Sequence, residues 1–262
     1  MLPTYYISHG GGPWPYIDDM RAMFHTLEAS LVDITRQLPS TPSAIFMVSG
    51  HWDSNTLSVM SNPQPPMEYD YYGFPDHTYH IQYPAAGSPE LAARVASLIK
   101  AAGISVQLDP HKGFDHGAFA PMAVMYPKAD MPLIQLSLQS NLDPAEHLAL
   151  GRALAPLRAE GVLIIGSGLS YHNLGLMGAA ARAPSMAFDN WLQQTLSFAP
   201  EQRTDRLIHW TQAPSARVAH PREDHLIPLM VALGAAERGQ ASCIYHEDNV
   251  FGGMTASSFR FD

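Results

Sequence analysis

The stretch AIFMVSGHW, residues 44–52, predicts the fold more directly than any other part of the sequence. Five apolar residues are followed by Ser-Gly and then by His51, a pattern typical of a buried strand with an imidazole at its carboxyl end. In open α/β sheets, ligands bind outside the carboxyl ends of the strands. The stretch therefore predicts a central sheet with a functional site at the edge where His51 lies.

The same pattern occurs at two other places in the chain. The apolar run from Tyr5 to Ser8 is followed by His9, and the run from Val162 to Ile165 continues through Gly-Ser-Gly to His172. Three strands that each deliver a histidine indicate one metal or acid–base site, assembled from distant parts of the sequence.

Strand-like and helix-like segments alternate along the 262 residues, with more strands towards the end. This order predicts one α/β domain over residues 1–262, with a mixed central sheet flanked by helices on both faces. The helical periods include residues 18–38, 91–102 and 144–159. Residues 254–261 are predicted to form a late strand.

The composition argues against several classes of partner. The net charge is −9 and lysine and arginine form no cluster, so neither nucleic acid nor an anionic membrane is expected to bind. The one cysteine, Cys243, excludes an internal disulfide framework and is expected to be a small buried residue of a strand. No signal peptide or apolar run of transmembrane length is visible, and we expect a soluble, cytoplasmic protein.

Residues 61–84 are rich in proline, tyrosine and histidine and are predicted to form a long loop. Their aromatic content argues against disorder. Two interpretations remain open for this segment. It is a wall or lid over an aromatic substrate, to which Tyr72 would contribute, or it is a surface loop packed on its own rings.

Four of the thirteen histidines are the strongest candidates for chemistry, namely His9, His51, His172 and His225. His225 follows Glu223 and Asp224 and stands at the head of an apolar helix, where imidazolium is disfavoured and neutral imidazole, the metal-binding form, is expected. Three such ligands with further positions left open are the arrangement of a catalytic metal.

Two other kinds of catalysis find little support in the sequence. The segment Gly166-Ser167-Gly168 does not match the G-x-S-x-G pattern of a serine nucleophile. Asp115 with Glu223 or Asp224 could supply a carboxylate pair, but nothing in the sequence favours that pairing.

Several motifs follow one another along the chain in a specific order. They are Ser8-His9-Gly10, Ser49–Trp52, Tyr83–Pro89, Gly113–Gly117, Gly166–Gly168 with His172-Asn173, and His220–Leu229. In this order they resemble the DOPA 4,5-dioxygenase family, which belongs to the class III extradiol ring-cleavage dioxygenases. The resemblance extends from His9 to the C-terminus, and the Gly113–Gly117 and His220–Leu229 motifs are specific in combination.

The resemblance implies a mononuclear non-haem metal centre, ferrous when active and often occupied by zinc in purified members. His9, His51 and His225 would be the metal ligands, and His225 would stand where related class III enzymes have a glutamate. His172 would be the acid–base histidine, or a fourth ligand in a resting zinc form. His116 would be a second pocket histidine directed at bound oxygen.

The resemblance also implies the reaction, in which O2 opens a catecholic ring beside a hydroxyl group to give a semialdehyde. Gly11, Gly12, Trp52 and Tyr72 are expected to contact the substrate. The Gly11-Gly12 pair and Gly50 depart from the residues that members commonly carry. The oligomeric state is left open, a homodimer being one option.

Two alternative functions would use the same histidines. The first is a zinc-dependent hydrolase that acts through metal-bound water. The second is a non-catalytic protein that binds a metal or a small aromatic molecule.

Overall fold

Eight strands form one mixed sheet at the centre of the protein, described by a computed structural model that covers residues 1–262. The strands are β1 (Thr4–Ser8), β2 (Ala44–Ser54), β3 (Leu57–Met60), β4 (Val106–Asp109), β5 (Leu133–Gln139), β6 (Val162–Gly168), β7 (Ala241–Val250) and β8 (Met254–Phe261). Their order is β4-β3-β5-β2-β6-β1-β8-β7. Strands β5, β2, β6 and β1 run parallel in the middle, and β8 and β7 continue the sheet in antiparallel fashion.

Nine helices surround this sheet. They are α1 (Asp18–Met23), α2 (His25–Gln37), α3 (Pro89–Ala101), α4 (His116–Met125), α5 (Pro144–Leu154), α6 (Arg182–Leu196), α7 (Pro200–Ile208), α8 (Ala216–Ala219) and α9 (Ile227–Ala235). No helix is both long enough and apolar enough to cross a membrane.

Adjacent residues of β6 show that helices cover both faces of the sheet. A Cβ atom on Gly166 would lie 2.2 Å from the carbonyl oxygen of Pro228 in α9, so only glycine allows this close approach. The next side chain, Ser167, faces the opposite way and donates to the carbonyl of Gly117 in α4. The predicted fold class, a mixed central sheet flanked by helices on both faces, is confirmed.

Some element boundaries differ from the sequence-based prediction. The helical period over residues 18–38 is split into α1 and α2 at Phe24, whose backbone leaves the helical region. The period over residues 144–159 ends as α5 at Leu154 and continues as a short 3₁₀ turn. The four-residue strand β3 was not predicted, because so short a run carries little periodic signal.

The prediction that Cys243 is buried was wrong. The residue lies in β7, which is the edge strand of the sheet, and its side chain is exposed. An edge strand has a neighbouring strand on one side only, so fewer side chains pack against it. The sequence alone does not say which strand occupies the edge of the sheet.

Candidate metal centre

Three histidine side chains converge at the carboxyl edge of the parallel strands. The Nε2 atom of His51 lies 3.2 Å from Nε2 of His9 and 3.1 Å from Nε2 of His225. The ligand atoms of the three rings lie within 4.8 Å of one another, and His9 and His225 are almost fully buried. We call His9, His51 and His225 the converging trio.

Each member of the trio is delivered by a different kind of backbone. His9 follows β1, and its N–H continues the ladder by donating to Gly168 of β6. His225 stands two residues before α9, as the sequence indicated. These two segments meet because Gly168 also approaches the carbonyl of His225 closely.

His51 is placed differently from the prediction that it follows the strand. Strand β2 extends to Ser54, so His51 lies inside it, at an irregularity in its pairing with β5. Pairing stops at Val48 opposite Leu136 and resumes at Asp53 opposite Leu138. Such bulges are common next to active sites because they redirect a side chain.

Gly50 allows the segment before α9 to pack against this bulge. A Cβ atom at position 50 would lie 3.0 Å from the carbonyl oxygen of Asp224 and 3.2 Å from Cα of His225. An alanine would therefore press on the backbone that carries a trio histidine. This gives a physical role to a residue that departs from the family pattern.

Carboxylates hold two of the trio rings from behind. Nδ1 of His51 lies 3.2 Å from Oδ2 of Asp70, and Nδ1 of His225 lies 2.9 Å from Oδ1 of Asp224. A carboxylate only accepts hydrogen bonds, so both Nδ1 atoms carry the proton and both Nε2 atoms present a lone pair.

Ser167 holds the third ring in the same way. Its hydroxyl donates to the carbonyl of Gly117 at 2.5 Å and lies 3.2 Å from Nδ1 of His9. Because the hydroxyl proton is used on Gly117, the oxygen accepts from His9, and Nε2 of His9 is again unprotonated.

The donor set fits a metal ion. Three lone pairs that face one another at hydrogen-bond distance repel unless a cation lies between them, and imidazole nitrogen is a common ligand of zinc and ferrous iron. A hydrogen-bonded partner on the far ring nitrogen is the usual support of a metal-ligating histidine.

The protonation of the trio agrees with this arrangement. Burial, followed by the charges of neighbouring histidines, lowers the pKa of His9 and His225 well below the ordinary value. Burial also lowers the pKa of His51 to about 4. All three rings are therefore neutral near pH 7, which is the form that binds a metal.

His116 lies beside the trio as the first residue of α4. Its Nδ1 and its backbone N–H both donate to Oδ1 of Asp70, at 2.8 and 2.9 Å, and its ring centroid is 3.9 Å from that of His51. Burial opposes the charge of Asp70, but its contacts with His116 and His51 prevail and lower the pKa of the carboxyl to about 2. One ionised carboxylate thus orients a trio ring and a pocket ring together.

His172 occupies the other side of the trio. Its ring is stacked on that of His225, with centroids 3.4 Å apart, and its Nδ1 lies 3.7 Å from Oδ1 of Asp224. It is not part of the His9–His51–His225 group, and its ligand atom lies close to those of Asp224 and His225 instead. Burial lowers its pKa while Asp224 opposes the shift, so the ring is neutral near pH 7 and able to accept a proton.

Asp115 connects the start of α4 with two strands of the sheet near the site. This buried carboxylate caps α4 by accepting from the N–H of Ala118, and it also accepts from Ser49 and Gln135. It fixes the start of α4 relative to β2, and its charge opposes the effect of burial on the pKa of His51. In the sequence it stands within the Gly113–Gly117 motif and as one half of a possible carboxylate pair, and neither predicts its role as a helix cap.

A cavity of about 510 Å³ opens above the trio. Gly11, Gly12 and Tyr72 line it, and their contact with a substrate stays a prediction. Trp52 does not line it, because its ring lies beneath the ammonium group of Lys112, 5.1 Å away.

The aromatic segment 61–84 lines the cavity and also packs on its own rings. Tyr71, Tyr72 and Phe74 form part of the cavity wall. The rings also pack on one another, with the centroids of Tyr71 and Phe74 5.4 Å apart. The segment contains only a short 3₁₀ helix, Asp76–His80, in accordance with its prediction as a loop.

The sequence predicted no orienting role for the three residues that hold the histidines, Asp70, Asp224 and Ser167. Asp70 is an acid enclosed by tyrosines, and Asp224 directly precedes His225. Both signals were visible, but an orienting contact depends on which distant histidine folds against the carboxylate.

Comparison with known proteins identifies the family. The family described as the catalytic LigB subunit of aromatic ring-opening dioxygenase matches residues 3–262. The chain belongs to this family. The resemblance inferred from the motifs, and with it the assignment as an extradiol ring-opening dioxygenase enzyme, is confirmed.

Individual relatives agree with this assignment. A Beta vulgaris protein named 4,5-DOPA dioxygenase extradiol is 40% identical, over 98% of this chain and 96% of its own length. Its namesake from Escherichia coli K12 is 34% identical, over 89% and 85% of the two chains. A crystal structure of an uncharacterised Escherichia coli K12 protein superposes with a TM-score of 0.82 and 28% identity over the whole of both chains.

Proposed function

We propose that the protein opens a catecholic aromatic ring with O2 at a single ferrous ion held by the converging trio. The observation that carries this proposal is the meeting of three unprotonated Nε2 atoms at the floor of a ring-sized cavity, in a chain of the LigB family. Family membership favours this reaction over a zinc hydrolase or a non-catalytic binding protein at the same histidines.

The overall reaction is balanced without another reductant. Both oxygen atoms of O2 enter the product, the ring bond beside one hydroxyl group breaks, and the catechol supplies the electrons. Held by His9, His51 and His225, ferrous iron would supply the redox chemistry that couples the catechol to O2, whereas zinc has no redox chemistry.

The chain's own residues would bind the substrate and move its protons. His172 is neutral and would accept a proton from a catechol hydroxyl, then return it as the ring opens. His116 would keep Nδ1 on Asp70 and would present the rest of its ring to the cavity, beside the oxygen atoms that take up charge. The cavity walls would exclude bulk water.

An oxygen-electrode assay paired with metal analysis tests the proposal. Protein reconstituted anaerobically with ferrous iron should consume one O2 per catechol and form a yellow ring-opened product. The same protein loaded with zinc is the control and should consume none. An iron-loaded protein that consumes no O2 across a panel of catechols contradicts the proposal.

A further inference from the structure

The walls of the cavity above the trio are apolar and uncharged, apart from Asp70 and the site histidines. The side chains that form these walls include Met20, Phe74, Leu169, Met177, Phe251 and Met254. No arginine or lysine lines the cavity. A negatively charged substituent on the substrate would thus lose its hydration without gaining an ion pair, which is costly.

Apart from the exposed hydroxyl of Tyr72 at the mouth, the polar side chains of the wall that do not belong to the site are engaged within the protein. The hydroxyl of Tyr171 donates to the carbonyl of Leu176, and that of Tyr71 donates to Thr78. The side-chain amide of Asn173 donates to Val218. The peptide groups of Gly10–Gly12 can donate hydrogen bonds, but they carry no charge to offset that of a carboxylate.

The mouth of the cavity is apolar as well. Three of its lining residues are among the few large hydrophobic side chains that the protein exposes, Tyr72 (91% exposed), Leu174 (71%) and Met177 (36%). Exposed apolar side chains that cluster around an opening are typical of a surface that contacts a ligand. The apolar surface thus continues from the wall out to the rim.

From this surface we infer that the substrate is a catechol with an uncharged apolar substituent, alkyl or aryl, opposite its hydroxyl groups. The inference rests on the proposed function and narrows its substrate class. The trio lies at the buried floor, so the hydroxyl groups point inward and a substituent at ring position 4 points towards Tyr72, Leu174 and Met177. A carboxylate on that substituent, with no positive charge beside it, finds no cation along this path.

A series of catechols measures the preference directly. With iron-loaded protein, each methylene added from 4-methylcatechol to 4-propylcatechol should raise kcat/KM about threefold to fourfold, as expected for burial of apolar surface. The carboxylate 3,4-dihydroxyphenylpropionate, of similar reach, should fall at least about tenfold below 4-propylcatechol. A flat alkyl series, or a carboxylate that matches its alkyl counterpart, overturns the inference.

A binding measurement separates this inference from the proposed function. Zinc-loaded protein, which should not turn over, is titrated with 4-propylcatechol and with the carboxylate by calorimetry. Tighter binding of the alkyl compound supports the inference even if the iron enzyme consumes no O2. Equal or tighter binding of the carboxylate contradicts it even if the iron enzyme cleaves catechol.

Placing a cation at the rim gives a second test. Leu174→Lys should raise kcat/KM for the carboxylate several-fold and lower it for 4-propylcatechol, because a positive charge replaces apolar surface at the mouth. The exposed side chain of Leu174 makes the change compatible with folding. Met186→Lys, at an exposed methionine (49%) outside the cavity, is the matched control and should change neither value. An unchanged ratio in Leu174→Lys, or an equal change in both variants, would sink the inference.

Discussion

The converging trio and the buried His147 in α5 show two ways in which a protein can bury imidazole. Nδ1 of His147 donates to the carbonyl of Asp143, and its Nε2 accepts from the N–H of Gln139 at 3.1 Å. Both ring nitrogens are thus satisfied by the backbone. The trio rings are satisfied on one side only, and their other nitrogens face one another.

This difference teaches that burial does not distinguish a structural histidine from a functional one. Burial lowers the pKa of His147 as it does those of the trio. What distinguishes the trio is that each ring has an Nε2 acceptor without a hydrogen-bond donor, and that the three acceptors lie close together. The predictions below test this criterion, from the largest expected effect to the smallest.

Substituting one trio histidine and one structural histidine should give opposite effects on metal binding and on stability. His51→Ala should abolish metal binding at stoichiometric concentrations and reduce ring cleavage below detection, because two ligands remain. His147→Gln should retain metal and activity but lower the free energy of unfolding by about 1–3 kcal/mol, since buried hydrogen bonds are disturbed. Metal content after gel filtration and urea unfolding measure the two outcomes. Loss of metal in His147→Gln would contradict the comparison.

His172 should separate proton transfer from metal binding. His172→Phe keeps a ring that can stack on His225 but has no nitrogen, so metal should be retained while kcat falls by about 10²–10⁴-fold. Iron content and oxygen uptake are measured on the same preparation. Stoichiometric loss of iron would instead assign His172 to the ligand set.

The carboxylates that hydrogen-bond to the trio rings should strengthen metal affinity without being ligands themselves. Asp224→Asn preserves the shape of the hydrogen bond to His225 but removes the charge, and should weaken metal affinity by about 10–100-fold. Competition with a chromophoric chelator measures this change for zinc. Asp205→Asn is the control, because Asp205 pairs with an exposed histidine at the surface, and its affinity should equal that of the unaltered protein.

His220 provides the smallest and most specific test. Burial lowers its pKa to about 3, from an ordinary value of 6.5. Between these values only the unfolded chain binds the proton, so the free energy of unfolding falls as the pH falls, by about 2 kcal/mol from pH 7 to pH 5 for this group. His220→Gln should show a correspondingly smaller loss in urea unfolding at the two pH values, whereas His209→Gln, at an exposed position, should not. An identical loss in all three proteins would disprove the assignment.

Much of the fold could be predicted from the sequence because its signals are local. Ser88 and the proline after it start α3, and apolar runs mark β2 and β6. The position of His51 within a bulge was not predictable, because it depends on how β2 pairs with β5. The burial of Cys243 was misjudged because strand order is a property of the whole sheet.

The candidate site divides in the same way. The histidines were found because an apolar run that precedes the residue, or a helix start beside it, marks each of them in the sequence. Asp70 was missed because its role requires residues 51 and 116 to lie together, which no local pattern encodes. The apolar rim at Leu174 and Met177 was likewise not predictable, because it depends on which distant segments fold around the cavity.

The strand order has a consequence for how the protein acquires its metal. Strand β1 pairs with β6 and β8, so the first strand reaches its place only after the last ones have formed. Such long-range pairing is slow because loop closure precedes the contacts that stabilise it. During refolding we therefore expect the three histidines to come together late, and metal uptake to follow the pairing of β1. An ion present early would meet only scattered, competing imidazoles.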